Sequence, residues 1–499
     1  MTSSTEVSPV RLCSREQLLD LLAHVAGKHV VLMGLGLFGG GEGAARFLAH
    51  GGASVTVTDL KGADQLAPAL RKLSGLPLRF RLGGHDVEQM KEAELIVVNP
   101  AVPKTSEVLR ACHDAGVPLT SPMNIFLALC RAPVVAVTGS TGKSTTAAML
   151  FGMLRQGNPP AVRRVRLGGN IGICLLSCVD QISPSELVVL ELSSYHLEDA
   201  ACMRWSPHVA VVTNLTPNHL DRYKTFEAYS EAKRNVLAFQ GPADAAVLNA
   251  TDENLKKWVA RGIRGSLLLF DPVSESGPLV SGMNLRGGRL IWKQGSDQQV
   301  ICTLSHIPVP GAHNVANAMA AAAAARWLGV PAEGIRAAIE AFEPLEHRLE
   351  RCGSFGGLTF YNDSDSTTPE STIAALESFA GPKTLIAGGL NKGLDMKRLG
   401  QAIAQRVEVL VTLGSSGPHI ADQTRRAAQA AGTVPAIREV ASLEQAVAAA
   451  VELSSPGSTV VFSPACASFD MFQNYEERGR RFKQLVAALP DWKRRTRRA

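Results

Sequence analysis

Residues 134 to 146 read Val-Val-Ala-Val-Thr-Gly-Ser-Thr-Gly-Lys-Ser-Thr-Thr, an apolar β-branched run that breaks into a glycine-rich turn carrying an ammonium and several hydroxyls. That order of residue types fits a phosphate cradle. Gly139, Ser140, Thr141 and Gly142 can turn tightly enough to aim backbone N–H groups inward, Lys143 can reach β- and γ-phosphates, and Ser144 or Thr145 can offer a hydroxyl to Mg²⁺. Only Ser140 and Thr141 separate the two glycines, so the loop is shorter than the common form with four residues there. A strand-like run before it and helix-prone residues 147–154 after it argue against a chance turn.

Further groups with chemical potential follow. Glu191 ends the apolar run 187–190, where a carboxylate can hold a hard cation beside the loop; the plain alternative is an exposed turn acid. His219, Asp221 and Arg222 crowd into Asn-Leu-Thr-Pro-Asn-His-Leu-Asp-Arg-Tyr after a strand expected at 209–213, a density that points to a ligand or phosphate site. Lys233 falls in a helical stretch, 226–238, and by pattern alone reads as a solvent-facing lysine. Asn314 and Asn317 share one face of an Ala-rich helix, from which both amides can reach a purine or ribose, although Asn314 could equally be a helix cap. His347-Arg348, Asn362-Asp363-Ser364, Lys392 and Ser468 lie in polar loops near expected strands and are weak signals singly.

The elements that must position these groups read as alternating strands and helices. A strand at 29–33 runs into Gly34, Gly36 and Gly39, a Gly-x-Gly-x-x-Gly turn enclosing Leu37 and Phe38, and a helix is expected at 43–50. The next strand, 54–58, ends on Asp59, so this opening taken alone reads as a dinucleotide fold with an acid for the ribose. Further strands are expected at 95–98, 187–190, 209–213, 384–387, 407–413 and 459–462. The alternation predicts three α/β domains with parallel sheets: a Rossmann-like domain over 1–126, a central P-loop ATPase-type domain over 127–345, and a second Rossmann-like domain over 346–499.

Bulk properties agree with that organisation. At 499 residues the chain is long enough for about three cores, and 45% hydrophobic with 19% charged residues describes an ordinary soluble α/β protein. Of the net charge of +6, five come from Lys493, Arg494, Arg495, Arg497 and Arg498, so nucleic acid is not indicated and the run is expected to be a solvated tail. Arg163, Arg164 and Arg166 form a similar cluster whose nearness to the phosphate loop leaves a role with an anionic substrate open. Nine cysteines without a C-x-x-C pair suggest neither disulfides nor zinc. With no signal pattern at the amino terminus and an Ala-rich stretch, 316–325, too short to cross a bilayer, a cytoplasmic protein without membrane insertion is expected.

Together these segments resemble the Mur ligase family, the ATP-dependent amide-forming enzymes of peptidoglycan synthesis. The motifs arrive in the family's order: the Gly34 to Gly39 turn, Gly139-x-x-Gly-Lys-Ser-Thr145, Gly169-Asn-Ile-Gly172, Glu191-Leu-Ser-Ser-Tyr195, His219-Leu-Asp-Arg-Tyr223, His313-Asn-Val-x-Asn317, His347-Arg348, Asn362-Asp-Ser364 and Ser463-Pro-Ala-Cys-Ala-Ser-Phe-Asp470. The resemblance implies that the first domain binds the uridine diphosphate of a substrate instead of a nicotinamide cofactor. It also implies amide formation through an acyl phosphate, with UDP-N-acetylmuramoyl-L-alanine and glutamate as substrates. ATP and two Mg²⁺ ions are the implied cofactors, closure of the third domain would exclude water, and a monomer is expected.

By residue, the resemblance assigns the loop Gly139 to Thr145 to ATP, with Lys143 stabilising the transferring phosphoryl group. Ser144, Glu191, His219 and Lys233 are the implied metal ligands, Lys233 as a carbamate, since a bare ammonium would repel Mg²⁺. Asn314, Asn317 and Arg348 are expected to face ATP. Leu37, Phe38, Asp59, Asn170 and His219 are expected at the UDP-sugar substrate, and Lys392, Ser468 and Tyr475 at glutamate. Two positions depart from the family. Lys61 follows Asp59 and Leu60 in place of the usual trio, and Asp365 stands where lysine is usual. An acid there repels a dicarboxylate unless it points away or pairs with Lys392 or Arg348, which leaves D- versus L-glutamate open. An insertion around 157–166 has no evident purpose. The alternatives are a relative with another amino-acid specificity or a non-catalytic nucleotide-binding homologue. An Asp-Asn-Pro-Arg motif and a glycine directly after the loop lysine, marks of diaminopimelate ligases and folate enzymes, are missing.

Overall fold

The computed structural model describes residues 9–36, 39–274, 276, 278–433 and 435–489. Leu37, Phe38 and the basic run from Lys493 to Arg498 therefore lie outside the described residues. The chain divides into two compact units, residues 1–304 with 316–339 and residues 305–315 with 340–499.

The first unit holds two sheets. One contains β1 (His29–Met33), β2 (Ser54–Asp59), β3 (Leu78–Leu82), β4 (Leu95–Val98) and β5 (Leu119–Thr120), all parallel in the order β3-β2-β1-β4-β5. Strand order reverses beside β1, and the glycine turn follows β1 at that switch point, where open α/β sheets receive ligands.

The other sheet has nine strands: β6 (Val134–Thr138), β7 (Arg164–Gly169), β8 (Glu186–Glu191), β9 (Val209–Val212), β10 (Ala245–Asn249), β11 (Ser266–Asp271), β12 (Gly282–Arg286), β13 (Arg289–Gln294) and β14 (Asp297–Thr303). Their order is β14-β13-β12-β11-β10-β9-β6-β8-β7. β6, β8 and β9 are buried along their whole lengths, which is why they read as unbroken Val/Leu/Ala runs without alternation. Parallel pairing throughout was expected, yet β12, β13 and β14 pair antiparallel. Two-residue Gly287-Gly288 and Gly295-bearing turns join them, too short for a parallel crossover.

The second unit carries β15 (Glu350–Phe355), β16 (Leu358–Asn362), β17 (Lys383–Gly388), β18 (Val409–Leu413), β19 (Ala436–Glu439) and β20 (Thr459–Phe462) in the order β15-β16-β20-β17-β18-β19. It is parallel except for the β15–β16 hairpin, again closed by two glycines, Gly356 and Gly357, both at positive φ. Among the described residues no helix is long and apolar enough to cross a membrane.

The insertion around 157–166 ends the helix Lys143–Gly157 on Asn158 at φ 40° and leads into edge strand β7. There Arg166 pairs with Glu186 of β8, the Nη2–Oε1 bond being 3.2 Å. Arg166 is thus committed within the fold, which corrects its possible role with an anionic substrate; Arg163 and Arg164 are exposed.

Candidate active site

The glycine-rich loop joins the carboxyl end of β6 to the helix Lys143–Gly157. Both glycines are required by geometry. A Cβ on Gly139, at φ 144°, would come 2.0 Å from Thr213 Oγ1, and one on Gly142, at φ 78°, 2.3 Å from Asn317 Oδ1. The loop is held by the residues just past β9: Thr213 Oγ1 donates to Thr141 O at 2.6 Å, and Asn214 Oδ1 accepts the Thr141 N–H at 2.9 Å. Ser140 Oγ donates to Thr216 O at 2.8 Å and lies 3.0 Å from Tyr229 Oη. Lys143 Nζ donates to Ser140 O at 3.0 Å, folding its ammonium back over the turn. Ser144 and Thr145 are buried in the first helical turn.

Glu191 is the last residue of β8, paired with Val137 of β6, so its carboxylate stands at the strand end nearest the loop. It is buried, and among the described residues Oε2 has no hydrogen-bond partner. An orphaned carboxylate oxygen costs free energy in a folded protein unless something absent from the apo chain completes it. Next to it lies Lys233, 2% exposed, whose Nζ donates to Thr138 Oγ1 at 3.3 Å and hovers 5.1 Å over the Tyr229 ring. The solvent-facing reading of Lys233 is therefore wrong: that face of the helix Phe226–Ala238 is turned into the sheet. Burial holds the amine well below its usual pKa, the nearby Lys143 charge pushes the same way, and only Glu191 opposes them.

His219 adopts φ 52° at the start of the short helix Leu220–Tyr223, and its Nδ1 is 3.0 Å from Tyr195 Oη. Arg222 stacks on Tyr195 at 4.0 Å and reaches Pro100 O at 2.9 Å, tying this loop to the end of β4. Asn317 Oδ1 accepts from Thr146 Oγ1 at 3.2 Å beside the phosphate loop, whereas Asn314, already inside the helix Ala312–Trp327, donates from Nδ2 to Pro310 O at 2.6 Å. Asn170 follows β7, its N–H donating to Glu191 O at 3.0 Å. The hard-oxygen set of Glu191 Oε2 with Ser144, beside a buried amine whose pKa is held down, fits a divalent cation such as Mg²⁺.

In the first sheet Asp59 turns both oxygens inward. Oδ2 accepts from the N–H groups of Leu35 (2.9 Å) and Gly36 (3.2 Å), and Oδ1 from that of Lys61 (2.9 Å). The acid therefore braces the glycine turn, a use that the dinucleotide pattern did not foresee.

At the third sheet Arg348 Nη2 binds Asp365 Oδ2 at 2.7 Å, which answers the unusual acid: its charge is taken up by the neighbouring guanidinium. Lys392 is exposed, 5.1 Å over the Phe469 ring; Ser468 is buried and Tyr475 opens the helix Tyr475–Ala487. Three residues were not singled out from sequence. Tyr229 lies one helical turn before Lys233, a spacing that could have flagged it. Thr138 ends an apolar strand and looked like part of the loop consensus only. Arg478 was one cation among many in an exposed-looking helix.

The chain belongs to the Mur ligase family: the MurD-like N-terminal domain matches residues 28–121, the middle domain 137–325 and the glutamate ligase domain 347–466. Among its relatives, UDP-N-acetylmuramoylalanine–D-glutamate ligase of Roseiflexus sp. is 39% identical over 470 residues, 93% of this chain and 99% of that one. The protein of the same name from Symbiobacterium thermophilum is 38% identical over 444 residues, 89% and 95% of the two chains. Among solved structures, UDP-N-acetylmuramate-alanine ligase of Thermotoga maritima shares the fold at a TM-score of 0.57 and 18% identity, over 92% of this chain and 98% of that one.

Proposed function

We propose that this protein joins D-glutamate to UDP-N-acetylmuramoyl-L-alanine by an amide bond at the expense of ATP, in the cytoplasm. The observation that carries the reading is the near full-length likeness to ligases of that name, with the phosphate loop, Glu191 and Lys233 gathered at one strand end.

In this reading the alanyl carboxylate attacks the γ-phosphorus of ATP, ADP departs, and an acyl phosphate remains. The amine of glutamate then attacks the acyl carbon, loses a proton, and the collapsing tetrahedral intermediate expels inorganic phosphate. Gly139, Ser140, Thr141 and Gly142 present N–H groups to the phosphates, and Lys143 offsets negative charge on the transferring group. Ser144 or Thr145, Glu191, His219 and Lys233 as a carbamate would hold Mg²⁺, two ions in all; when bound, the metal neutralises phosphate charge. Loss of the proton from Lys233 is what makes the amine able to add CO₂, and its low pKa supports that step.

Asn314, Asn317 and Arg348 serve the nucleotide; Asp59 and the first glycine turn, with Asn170 and His219, serve the UDP-sugar; Lys392, Ser468 and Tyr475 serve glutamate. The corresponding division of labour is 1–126 for the UDP-sugar, 127–345 for ATP and 346–499 for the amino acid.

The test is ADP release with UDP-N-acetylmuramoyl-L-alanine and, separately, D-glutamate, L-glutamate, L-serine or diaminopimelate. Turnover with D-glutamate is expected; none with either glutamate isomer ends the proposal. For the carbamate, ¹³C-bicarbonate should give a labelled carbamate resonance in the native protein that Lys233→Ala lacks.

A further inference from the structure

Arg478 carries a buried charge that, among the described residues, no direct ion pair balances. It lies on the helix Tyr475–Ala487, 2% exposed, with Nε donating to Ser364 Oγ (3.1 Å), Nη2 to Ser364 O (2.8 Å) and Nη1 to Cys466 O (3.0 Å). All three bonds end on neutral oxygens, and among the described residues the guanidinium forms no ion pair. The two acids whose charge reaches it are otherwise engaged. Asp365 binds Arg348 at 2.7 Å, and Asp470 accepts from the Ser415 N–H at 2.9 Å. Burying an unpaired cation is strongly unfavourable, and the desolvation pulls this guanidinium down to about 10.

Its position suggests why the charge is kept. Ser364 follows β16, Cys466 follows β20, and a Cβ on Gly389, just past β17, would come 3.1 Å from Nη1. β16, β20 and β17 are adjacent and parallel, so the guanidinium spans the carboxyl ends of three neighbouring strands, where ligands of open α/β sheets gather. Ser468 lies two residues beyond Cys466 on the same loop. A strut needs only donors to these oxygens; it does not need a full charge in a low-dielectric site, where that charge acts over a longer range than in water.

We infer that Arg478 is a specificity-determining residue of the amino-acid site, its buried positive charge balancing the anionic side chain of the incoming amino acid. This deepens the glutamate reading and rests on it. The wild-type protein is therefore first assayed with D-glutamate and D-glutamine; no preference for glutamate would end the reading itself before any variant is made. Arg478→Lys keeps the charge and disturbs the hydrogen bonds, whereas Arg478→Gln keeps donors and removes the charge. The expected result is that Arg478→Gln lowers the glutamate-over-glutamine ratio of kcat/KM by about tenfold or more, with KM for ATP little changed, while Arg478→Lys preserves the ratio. An unchanged ratio in Arg478→Gln, or equal losses on both substrates in both variants, would show a strut and overturn the inference. Should Arg478→Gln fail to fold, Arg478→Met, which also removes the charge, is read in the same way: a glutamate-over-glutamine ratio lowered about tenfold supports the role of charge, and an unchanged ratio there or a collapsed one in Arg478→Lys overturns it.

Discussion

The carboxyl ends of the middle and third sheets handle buried charge in opposite ways. In the middle sheet Glu191 leaves Oε2 without a partner, and Lys233 has one hydroxyl, Thr138, 3.3 Å away. In the third sheet the buried Asp363 accepts from Ser366 Oγ (2.6 Å), Ser463 Oγ (2.7 Å) and the Leu349 N–H (3.1 Å). Among the described residues one carboxylate keeps an oxygen unpartnered; the other is held in a finished frame of hydrogen bonds that fixes its loop. The difference teaches that hydrogen-bond satisfaction, more than residue type, marks which buried groups still have bonding capacity to offer.

The contrast is broken most directly at Glu191. Glu191→Gln should lower kcat for ADP formation by about 10²–10³-fold and yet raise folding stability by roughly 1 kcal/mol, because an uncompensated carboxylate is removed. Asp363→Ala should do the reverse on stability, losing about 3 kcal/mol by denaturant titration, because two buried hydroxyls and an N–H lose their acceptor. If both variants destabilise alike, the two strand ends are built on the same principle and the contrast fails.

His196 sharpens it from within the first unit. It is buried in the helix Ser194–Ala201, only a few residues from Glu191, and desolvation, aided by the Lys104 charge, holds it down to about 4 against an ordinary 6.5. The unfolded chain therefore takes up a proton first as pH falls. Stability should be unaffected by this group above pH 6.5, decline between 6.5 and about 4 by about 3 kcal/mol in total, and level off below. Denaturation midpoints across that range, compared with His196→Gln, check it; equal slopes in both would assign the pH dependence elsewhere. A smaller effect is expected at the loop. Gly142→Ala places a methyl against Asn317 in a left-handed backbone, costing about 1–2 kcal/mol of stability and raising KM for ATP, while KM for glutamate stays put.

Much of this arrangement was legible before any coordinates. The β6 loop, the all-buried strands β8 and β9 and the glycine turn after β1 announce themselves because burial on both faces forces uniform apolar runs and tight turns force glycine. The antiparallel edges β12–β14 and β15–β16 were missed because a hairpin and a crossover differ in connection length, a weak signal inside an α/β alternation. Asp59 shows a subtler limit. Its place at the end of β2 was readable, but whether its oxygens face outward or brace Leu35 and Gly36 depends on a turn 23 residues away.

The amino-acid sequence by itself determined the order of the elements and the identity of the groups that can do chemistry, since both depend on residue type and on spacing along the chain. Protonation and availability were decided only by the tertiary structure. Lys233 looks like any helical lysine until the sheet buries it beside Lys143, Asp365 looks disruptive until Arg348 pairs with it, and Arg478 looks like surface charge until three strand ends close around it. The physical reason is common to all three: a group's charge is set by its dielectric surroundings and its partners, and those come from parts of the chain that only folding brings together.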